Sequence, residues 1–159
     1  MRLEEELGAI DAIRQLKARY FRFLDAKAWD DLRTVFTRDA VFDLRAGATA
    51  DPGDGSAEAA ETAYLELRGR DAIVDAIRDS TADRITIHHG HCHEVTVRTP
   101  EEADGVIAMV DKITNRQTGA CVIEGWGHYH ETYRREDGAW RIARSRLSRL
   151  VIHADLAAR

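Results

Sequence analysis

The spacing of the apolar residues changes once along this chain, close to residue 84. Upstream, apolar side chains recur every three or four residues, which is the period of an amphipathic helix. Downstream, they alternate with polar ones, which is the period of a strand that buries one face. Helices gathered before strands that are joined by short turns favour an α+β domain. We therefore expect one α+β domain over residues 1–159, with a curved antiparallel sheet covered on one face by three helices.

Three helices are predicted before that change of period. The first has an apolar stripe at helical spacing, made by Leu3, Leu7, Ile10, Ile13, Leu16, Tyr20, Phe23 and Leu24. Its other face is predicted to be basic and to carry Arg14, Lys17, Arg19 and Arg22. A shorter helix is expected from Trp29 to Phe36, and a third begins at Gly69.

Strands and turns are predicted for the remainder. A short strand is expected at residues 40–44, and four long strands follow residue 84. Asp137-Gly138 is typical of a tight hairpin, because these residues readily adopt positive φ angles. Residues 45–63 are small and polar, so we expect either a lid or a mobile loop there.

Charge and cysteine content exclude several classes of protein. The 23 basic and 28 acidic residues give a net charge of −5, whereas nucleic-acid-binding domains are usually basic. No apolar run approaches the roughly 20 residues that span a bilayer, and residues 1–6 lack the apolar segment of a signal peptide. Two cysteines, Cys92 and Cys121, do not make a disulfide framework. We expect a cytoplasmic protein that binds neither nucleic acid nor membranes.

Histidines are concentrated in two predicted strands, which together hold six of the seven: His88, His89, His91, His93, His128 and His130. Histidine titrates near neutral pH and suits general acid–base catalysis. Strand alternation separates His88 from the other three of the first group, but a bulge at Gly90 would exchange the faces. Which histidine points inward is therefore left open. One alternative is that most of these histidines lie on a solvated or interface face of the sheet. A metal site is another, although the spacing matches no established zinc or iron motif.

A single acidic residue interrupts an apolar strand at Asp111. Both faces of that strand are largely apolar, so the carboxylate is expected to be buried and to need a partner. A histidine on the adjacent strand would serve, and a carboxylate there would fix the imidazole tautomer. The alternative is an ion pair with Lys112 or with an arginine.

Two other places carry candidate polar groups. Tyr20 lies on the apolar stripe of the first helix, so its hydroxyl needs a partner, whereas Asp25 either caps the second helix or reaches the mouth of a pocket. On the last strand, alternation places Arg144 and Arg146 on the inward side with Trp140 and Ile142, where an arginine can stabilise an oxyanion. A solvated sheet face or a dimer contact is the alternative for these arginines.

Segments near both ends of the chain resemble one known family. Residues 16–25 (LKARYFRFLD), 29–32 (WDDL) and 36–42 (FTRDAVF) resemble the opening of the SnoaL-like group of the nuclear transport factor 2 (NTF2)-like superfamily. Residues 127–133 (GHYHETY) and 138–142 (GAWRI) resemble its final hairpin. The resemblance implies a cone-shaped α+β half-barrel with a pocket between sheet and helices, and a homodimer or higher homo-oligomer formed through the sheet.

Within that superfamily the sequence resembles scytalone dehydratase and bile acid 7α-dehydratase, and this resemblance implies the catalytic residues. The matching places in this sequence are Tyr20, Asp25, His88 and Asp111, with His89 as the alternative histidine. The resemblance implies that His88, paired with Asp111, removes a proton next to a carbonyl group without any cofactor. Tyr20 would hydrogen-bond a substrate oxygen, and Asp25 would orient Tyr20 or a water, or protonate the departing hydroxyl.

The resemblance also implies the kind of substrate and the residues that bind it. We expect a small hydroxylated cyclic or polycyclic molecule, polyketide-like or steroid-like, bound by His89, Trp126, Tyr129 and Arg146. The chain would then be a dehydratase-, isomerase- or cyclase-type lyase. The alternative is a dimeric module without catalysis that holds a small ligand or a protein partner, because this fold hosts many functions.

Overall fold

The computed structural model describes residues 1–44 and 66–154. Within these ranges the chain forms three helices, which are α1 (Leu3–Asp25), α2 (Trp29–Arg33) and α3 (Arg70–Thr81). The second helix ends earlier than predicted, because Phe36 already begins a strand. The loop expected at residues 45–63 lies outside the described residues.

Six strands in the described residues form one sheet: β1 (Phe36–Asp43), β2 (Glu66–Arg68), β3 (Arg84–Val97), β4 (Glu102–Asn115), β5 (Cys121–Glu136) and β6 (Ala139–Ala154). Their order across the sheet is β2-β1-β6-β5-β4-β3. All pairings are antiparallel except that of β1 with β6, which is parallel. The predicted α+β fold is confirmed as a curled, unclosed sheet that is mixed rather than wholly antiparallel.

Helix α1 packs on one face of the sheet, against β3 and β6, and this face is called the inner face below. Its buried residues recur at helical spacing, as predicted: Ala9, Ile13, Leu16, Lys17, Tyr20, Phe21 and Leu24. The prediction that Lys17 lies on the solvated face is wrong, because its side chain is fully buried. No helix in the described residues is both long and apolar enough to cross a membrane.

Aromatic rings fill much of the space between α1 and the sheet. The Tyr20 ring makes edge contacts with Phe21, Phe36 and Tyr129, with ring centroids 5.5–6.0 Å apart. Gly90 on β3 permits this packing, because a Cβ there would lie 2.5 Å from the Phe21 ring. The glycine thus serves close helix–sheet approach, and the strand runs straight through it.

Among the irregularities of the sheet, three bulges at other places decide which side chains near the end of α1 and along β6 face inward. In β3 the irregularity falls at Cys92 and His93, which lie between the paired residues His91 and Glu94. The bulge considered at Gly90 is therefore absent, and Cys92 adopts a positive φ of 47°. In β6, extra residues at Ala143 and Leu150 shift the alternation twice.

The first β6 bulge corrects the expectation for the arginines of that strand. Beyond Ala143 the buried residues are Ser145 and Leu147, so Arg144 and Arg146 lie on the outer face. Beyond Leu147 the next inward side chain is Arg149, which sequence alternation did not single out.

Candidate active site

The last residue of α1 brings a carboxylate to a histidine on β3. The Asp25 Oδ1 atom lies 2.7 Å from Nδ1 of His88, and the His88 backbone N–H donates to Oδ2 at 2.9 Å. The Thr86 hydroxyl also donates to Oδ1, at 2.9 Å. Three donors from one strand therefore hold this carboxylate beside His88. Asp25 is thus bound to the sheet and is not used as the cap of the second helix.

The imidazole of His88 is held in one orientation by packing and by this bond. Its ring stacks on Phe21, with an interplanar angle of 10°. Because a carboxylate only accepts, Nδ1 carries the proton and Nε2 keeps its lone pair. Among the described residues Nε2 has no hydrogen-bond partner. The side chains of His88 and Asp25 are 7% and 26% exposed, so the pair lies at the edge of the core rather than inside it.

The expected bond between His88 and Asp111 is wrong, although the two residues are directly opposite each other on β3 and β4. Both carboxylate oxygens of Asp111 instead accept from Arg149, each at 2.6 Å. The ion pair fits because Gly125 has no side chain, since a Cβ there would lie 2.4 Å from an Arg149 nitrogen. An Arg–carboxylate pair with two parallel bonds is rigid, so Asp111 is committed to Arg149.

Tyr20 is close enough to both of these acidic residues for their charges to affect its pKa. Burial raises the pKa of its hydroxyl, and the charges of Glu131, Asp111 and Asp25 raise it further, whereas a hydrogen bond with Tyr129 lowers it. Burial likewise raises the pKa of Tyr129. Both phenols therefore stay protonated at any physiological pH.

A second buried polar cluster lies two turns earlier under α1, and we call it the sealed pair. The Lys17 ammonium donates to Glu131 at 2.7 Å, and both side chains are 0% exposed. Tyr133 and Ser145 donate to the same carboxylate, at 2.6 and 2.9 Å. The ammonium also lies 3.5 Å from the centroid of the Tyr129 ring. Burial lowers the pKa of Lys17, and Glu131 opposes that shift.

Three of the four expected substrate-binding residues lie on the outer face and not in this site. His89 is exposed, and Trp126 is 39% exposed and packs against His153. Arg146 is paired across the sheet with His130, whose pKa is lowered by burial and then by Arg146. Only Tyr129 lies on the inner face. The unbroken alternation of β3 up to His91 sends His89 outward.

Two of the depressions on the described part of the chain bear on the site. One of 530 Å³ opens beside Lys27, at the end of α1, and is lined by Lys27, Ala28, Trp29, Asp30, Asp31, Arg33 and Arg78. The other, of 360 Å³, lies on the outer face between His91 and His128. Among the described residues, no three histidine, cysteine or acidic side chains gather closely enough to hold a metal ion.

A family model described as a SnoaL-like domain matches residues 5–146 of this chain. The chain belongs to the SnoaL-like domain family. Solved structures agree on the fold of this SnoaL-like chain. A putative scytalone dehydratase from Novosphingobium aromaticivorans is 19% identical, with a TM-score of 0.76 over 97% of this chain and 92% of that one.

Two further solved structures have the same fold at a similarly low sequence identity. A type 2 hexachlorocyclohexane dehydrochlorinase (LinA) is 16% identical, with a TM-score of 0.73 over 95% of this chain and 91% of that one. A putative aromatic ring hydroxylase from Novosphingobium aromaticivorans is 21% identical, with a TM-score of 0.76 over 99% and 98%. These TM-scores show that the SnoaL-like chain has the fold of these proteins.

Sequence reasoning missed three polar residues of this SnoaL-like chain. Arg149 was hidden by the two bulges of β6, which no alternation rule reveals. Lys17 and Glu131 are 114 residues apart. A signal for Lys17 was present, because it lies four residues after Ile13 and three before Tyr20, on the apolar stripe.

Proposed function

We propose that this chain is a cofactor-independent lyase, which removes a proton and a leaving group from adjacent atoms of a small molecule. The observation that carries the proposal is the Asp25–His88 pair, in which Nδ1 is bound at 2.7 Å. An imidazole whose one nitrogen is fixed by a carboxylate offers the other as a general base. Two structural neighbours are named as a dehydratase and a dehydrochlorinase, which are both eliminating enzymes.

The proton path begins at a substrate carbon next to a carbonyl group. Nε2 of His88 takes the proton, and the Asp25 carboxylate stabilises the imidazolium that forms. The electron pair of the broken C–H bond becomes a carbon–carbon double bond as the hydroxyl departs. That hydroxyl takes the proton from His88 and leaves as water, so the imidazole returns to its neutral form.

We infer that buried donors on the same side of the sheet as His88 stabilise the negative charge that develops on the carbonyl oxygen. Tyr20 and Tyr129 keep their protons, because burial raises the pKa of both hydroxyls. Asp111 balances the charge of Arg149, but the Nε of Arg149 is buried with no hydrogen-bond partner among the described residues and is a further donor. Fixed donors of this kind stabilise an enolate more than they stabilise the ketone. Asp111 holds Arg149 in place.

A second candidate function is a binding module without catalysis. The observation that favours it is the packing of aromatic rings around Tyr20, which fill much of the space between α1 and the sheet. Such a module would bind a ligand without exchanging its protons. Proton exchange therefore separates the two candidates without knowledge of the leaving group.

The experiment measures deuterium uptake by NMR. Cyclic β-hydroxy ketones are incubated with the protein in D₂O, and exchange next to the carbonyl is followed together with loss of water. Wild-type protein should catalyse both, and His88→Gln and Asp25→Asn should lower the rate by about 10²–10⁴-fold, which is the usual share of a general base. His89→Gln is the matched control on the outer face and should keep the wild-type rate.

Circular dichroism and thermal unfolding establish that each variant is folded. Equal exchange by wild-type and a folded His88→Gln variant would overturn the assignment of the base. Tight binding of a ketone with no exchange by the wild-type protein would favour the binding module.

A further inference from the structure

The turn that ends helix α1 contains a residue that its backbone conformation disfavours. Ala28 N–H bonds to the Phe23 carbonyl at 2.9 Å, and Lys27 N–H bonds to the Leu24 carbonyl at 3.1 Å. This is the Schellman pattern, in which the residue after the cap is left-handed and is usually glycine. Here that residue is Lys27, with φ of 60°. A side chain kept at a position that favours glycine calls for a reason in what that side chain contacts.

The Lys27 side chain reaches back to the residues that hold Asp25. Its Nζ atom donates to the Thr86 hydroxyl at 2.8 Å, and that hydroxyl donates to Asp25 at 2.9 Å. The Trp29 ring centroid lies 5.8 Å from the ammonium, within the range of a cation–π contact. The chain of bonds therefore runs from Lys27 through Thr86 and Asp25 to His88.

The direction of these bonds follows from the chemistry of the groups. An ammonium has donors only, so the Thr86 oxygen must accept from Lys27. A hydroxyl has one proton, and the carboxylate beside it can only accept, so that proton points to Asp25. With Lys27 absent, the hydroxyl could turn and the carboxylate would lose one of its three fixed donors.

The electrostatic surroundings of Lys27 agree with a working position. Burial lowers the pKa of Lys27, and the charge of Asp25 opposes this, whereas Arg116 lowers the pKa and Asp83 raises it. A half-buried ammonium next to a carboxylate stabilises that carboxylate in a fixed place.

We propose that Lys27 is a positioning residue, which acts through Thr86 to hold the Asp25 carboxylate against Nδ1 of His88. Its effect on catalysis rests on the proposed function, but its effect on the His88 ring does not. A less favourable backbone conformation at Lys27 would thus be tolerated because the Lys27 side chain keeps the candidate base ordered.

The test reads the His88 ring directly, in the protein without substrate. Nitrogen-15 NMR of the imidazole gives the tautomer, and a slowly exchanging Nδ1–H proton signal reports the bond to Asp25. Lys27→Gly and Thr86→Val should lose that proton signal or show a mixture of tautomers. Lys27→Gly should nevertheless unfold at the same or a higher temperature, because glycine suits the left-handed residue. Lys27→Arg keeps a cationic donor and should preserve the signal.

Lys112→Met is the matched control, since it removes the same charge from an exposed position on β4. Unchanged His88 signals in Lys27→Gly and Thr86→Val would overturn the proposal. So would equal loss in Lys112→Met, which would point to total charge instead. Lys27→Met, which keeps a side chain in the left-handed turn, should behave as Lys27→Gly does at His88. If it kept the wild-type signals, the ammonium would have no such role.

Activity provides a separate arm. If deuterium exchange is found, Lys27→Gly should lower it by roughly tenfold, the lower end of the range for groups that orient a working residue. If His88→Gln abolishes exchange but Lys27→Gly does not alter it, the proposed function stands and this inference fails. If no exchange is found, the NMR result still decides the positioning role.

Discussion

Two buried polar clusters lie under the same helix, and they differ in their access to solvent. The Asp25–His88 pair at the end of α1 keeps one side chain 26% exposed. The sealed pair, Lys17 and Glu131, is 0% exposed on both sides. Both have short bonds of 2.7 Å, so bond length does not separate them. Solvent exposure separates the two clusters, because a substrate cannot exchange a proton with a group that it cannot reach.

The two clusters also differ in how many of their bonding positions are used. In the sealed pair the Glu131 carboxylate accepts from Lys17, Tyr133 and Ser145, and aromatic rings cover the ammonium. In the other cluster, Nε2 of His88 has no partner among the described residues. A fully satisfied network supports a unique fold, whereas an unsatisfied lone pair is available for chemistry. This comparison predicts that damage to the first lowers stability and damage to the second lowers activity.

The largest effect is expected from breaking the sealed pair. Glu131→Gln leaves the buried Lys17 ammonium without a counter-charge, which should lower the free energy of unfolding by about 3–5 kcal/mol. Lys17→Met should cost a similar amount, since it strands the carboxylate. The double variant should recover much of the loss, because no unpaired charge remains. Urea denaturation of the four proteins measures the coupling. Additive losses in the double variant would show that the pairing itself contributes little.

For contrast, Asp25→Asn should cost little stability. The Asp25–His88 pair is a partly solvated hydrogen bond to a neutral imidazole, and such a bond contributes about 0.5–1.5 kcal/mol. If Asp25→Asn destabilised the protein as much as Glu131→Gln does, the distinction between the two clusters would fail. The same denaturation series decides this.

A smaller effect is expected where a glycine makes room for the Asp111–Arg149 pair. Gly125→Ala puts a methyl group 2.4 Å from the guanidinium, so Arg149 must move. Overpacking of this kind should cost about 1–3 kcal/mol. Gly8→Ala is the control, because nothing lies within 4 Å of its Cβ and it lies inside α1. That variant should gain about 0.5–1 kcal/mol. A neutral Gly125→Ala would mean that the pair relocates without cost.

The sequence predicts the order of elements well, because each depends on a local period. Tyr20, Asp25 and Asp111 were candidates from the residues themselves, and the family resemblance selected His88. Tyr20 and Asp25 lie on α1, and His88 and Asp111 lie opposite each other on the sheet. Their partners were not predictable in this way. The ion pair of Asp111 depends on bulges at Ala143 and Leu150, and a single extra residue reverses which side chains face inward. The burial of Lys17 depends on Glu131, far away in the sequence.

The smallest effect is expected from His93, which lies beside the sealed pair on the bulge of β3. Its Nε2 is buried with no partner among the described residues, and burial, then the charges of Lys17 and Arg14, lower its pKa. The unfolded chain therefore binds this proton at a higher pH than the folded one. The free energy of unfolding is therefore unaffected by His93 above its ordinary pKa of 6.5, and it decreases as the pH falls below that value.

His93→Gln should remove that part of the acid sensitivity. Comparing urea denaturation at about pH 7.5 and about pH 5.5, the variant should lose less stability than wild-type protein on acidification. The difference should be well under the roughly 1.4 kcal/mol that a full pKa unit represents, because His93 is only half-buried. His89→Gln on the exposed face of the same strand is the control and should follow the wild-type curve. Identical curves for His93→Gln and wild-type protein would contradict this prediction. They would mean that protonation of His93 beside the sealed pair does not destabilise the folded protein.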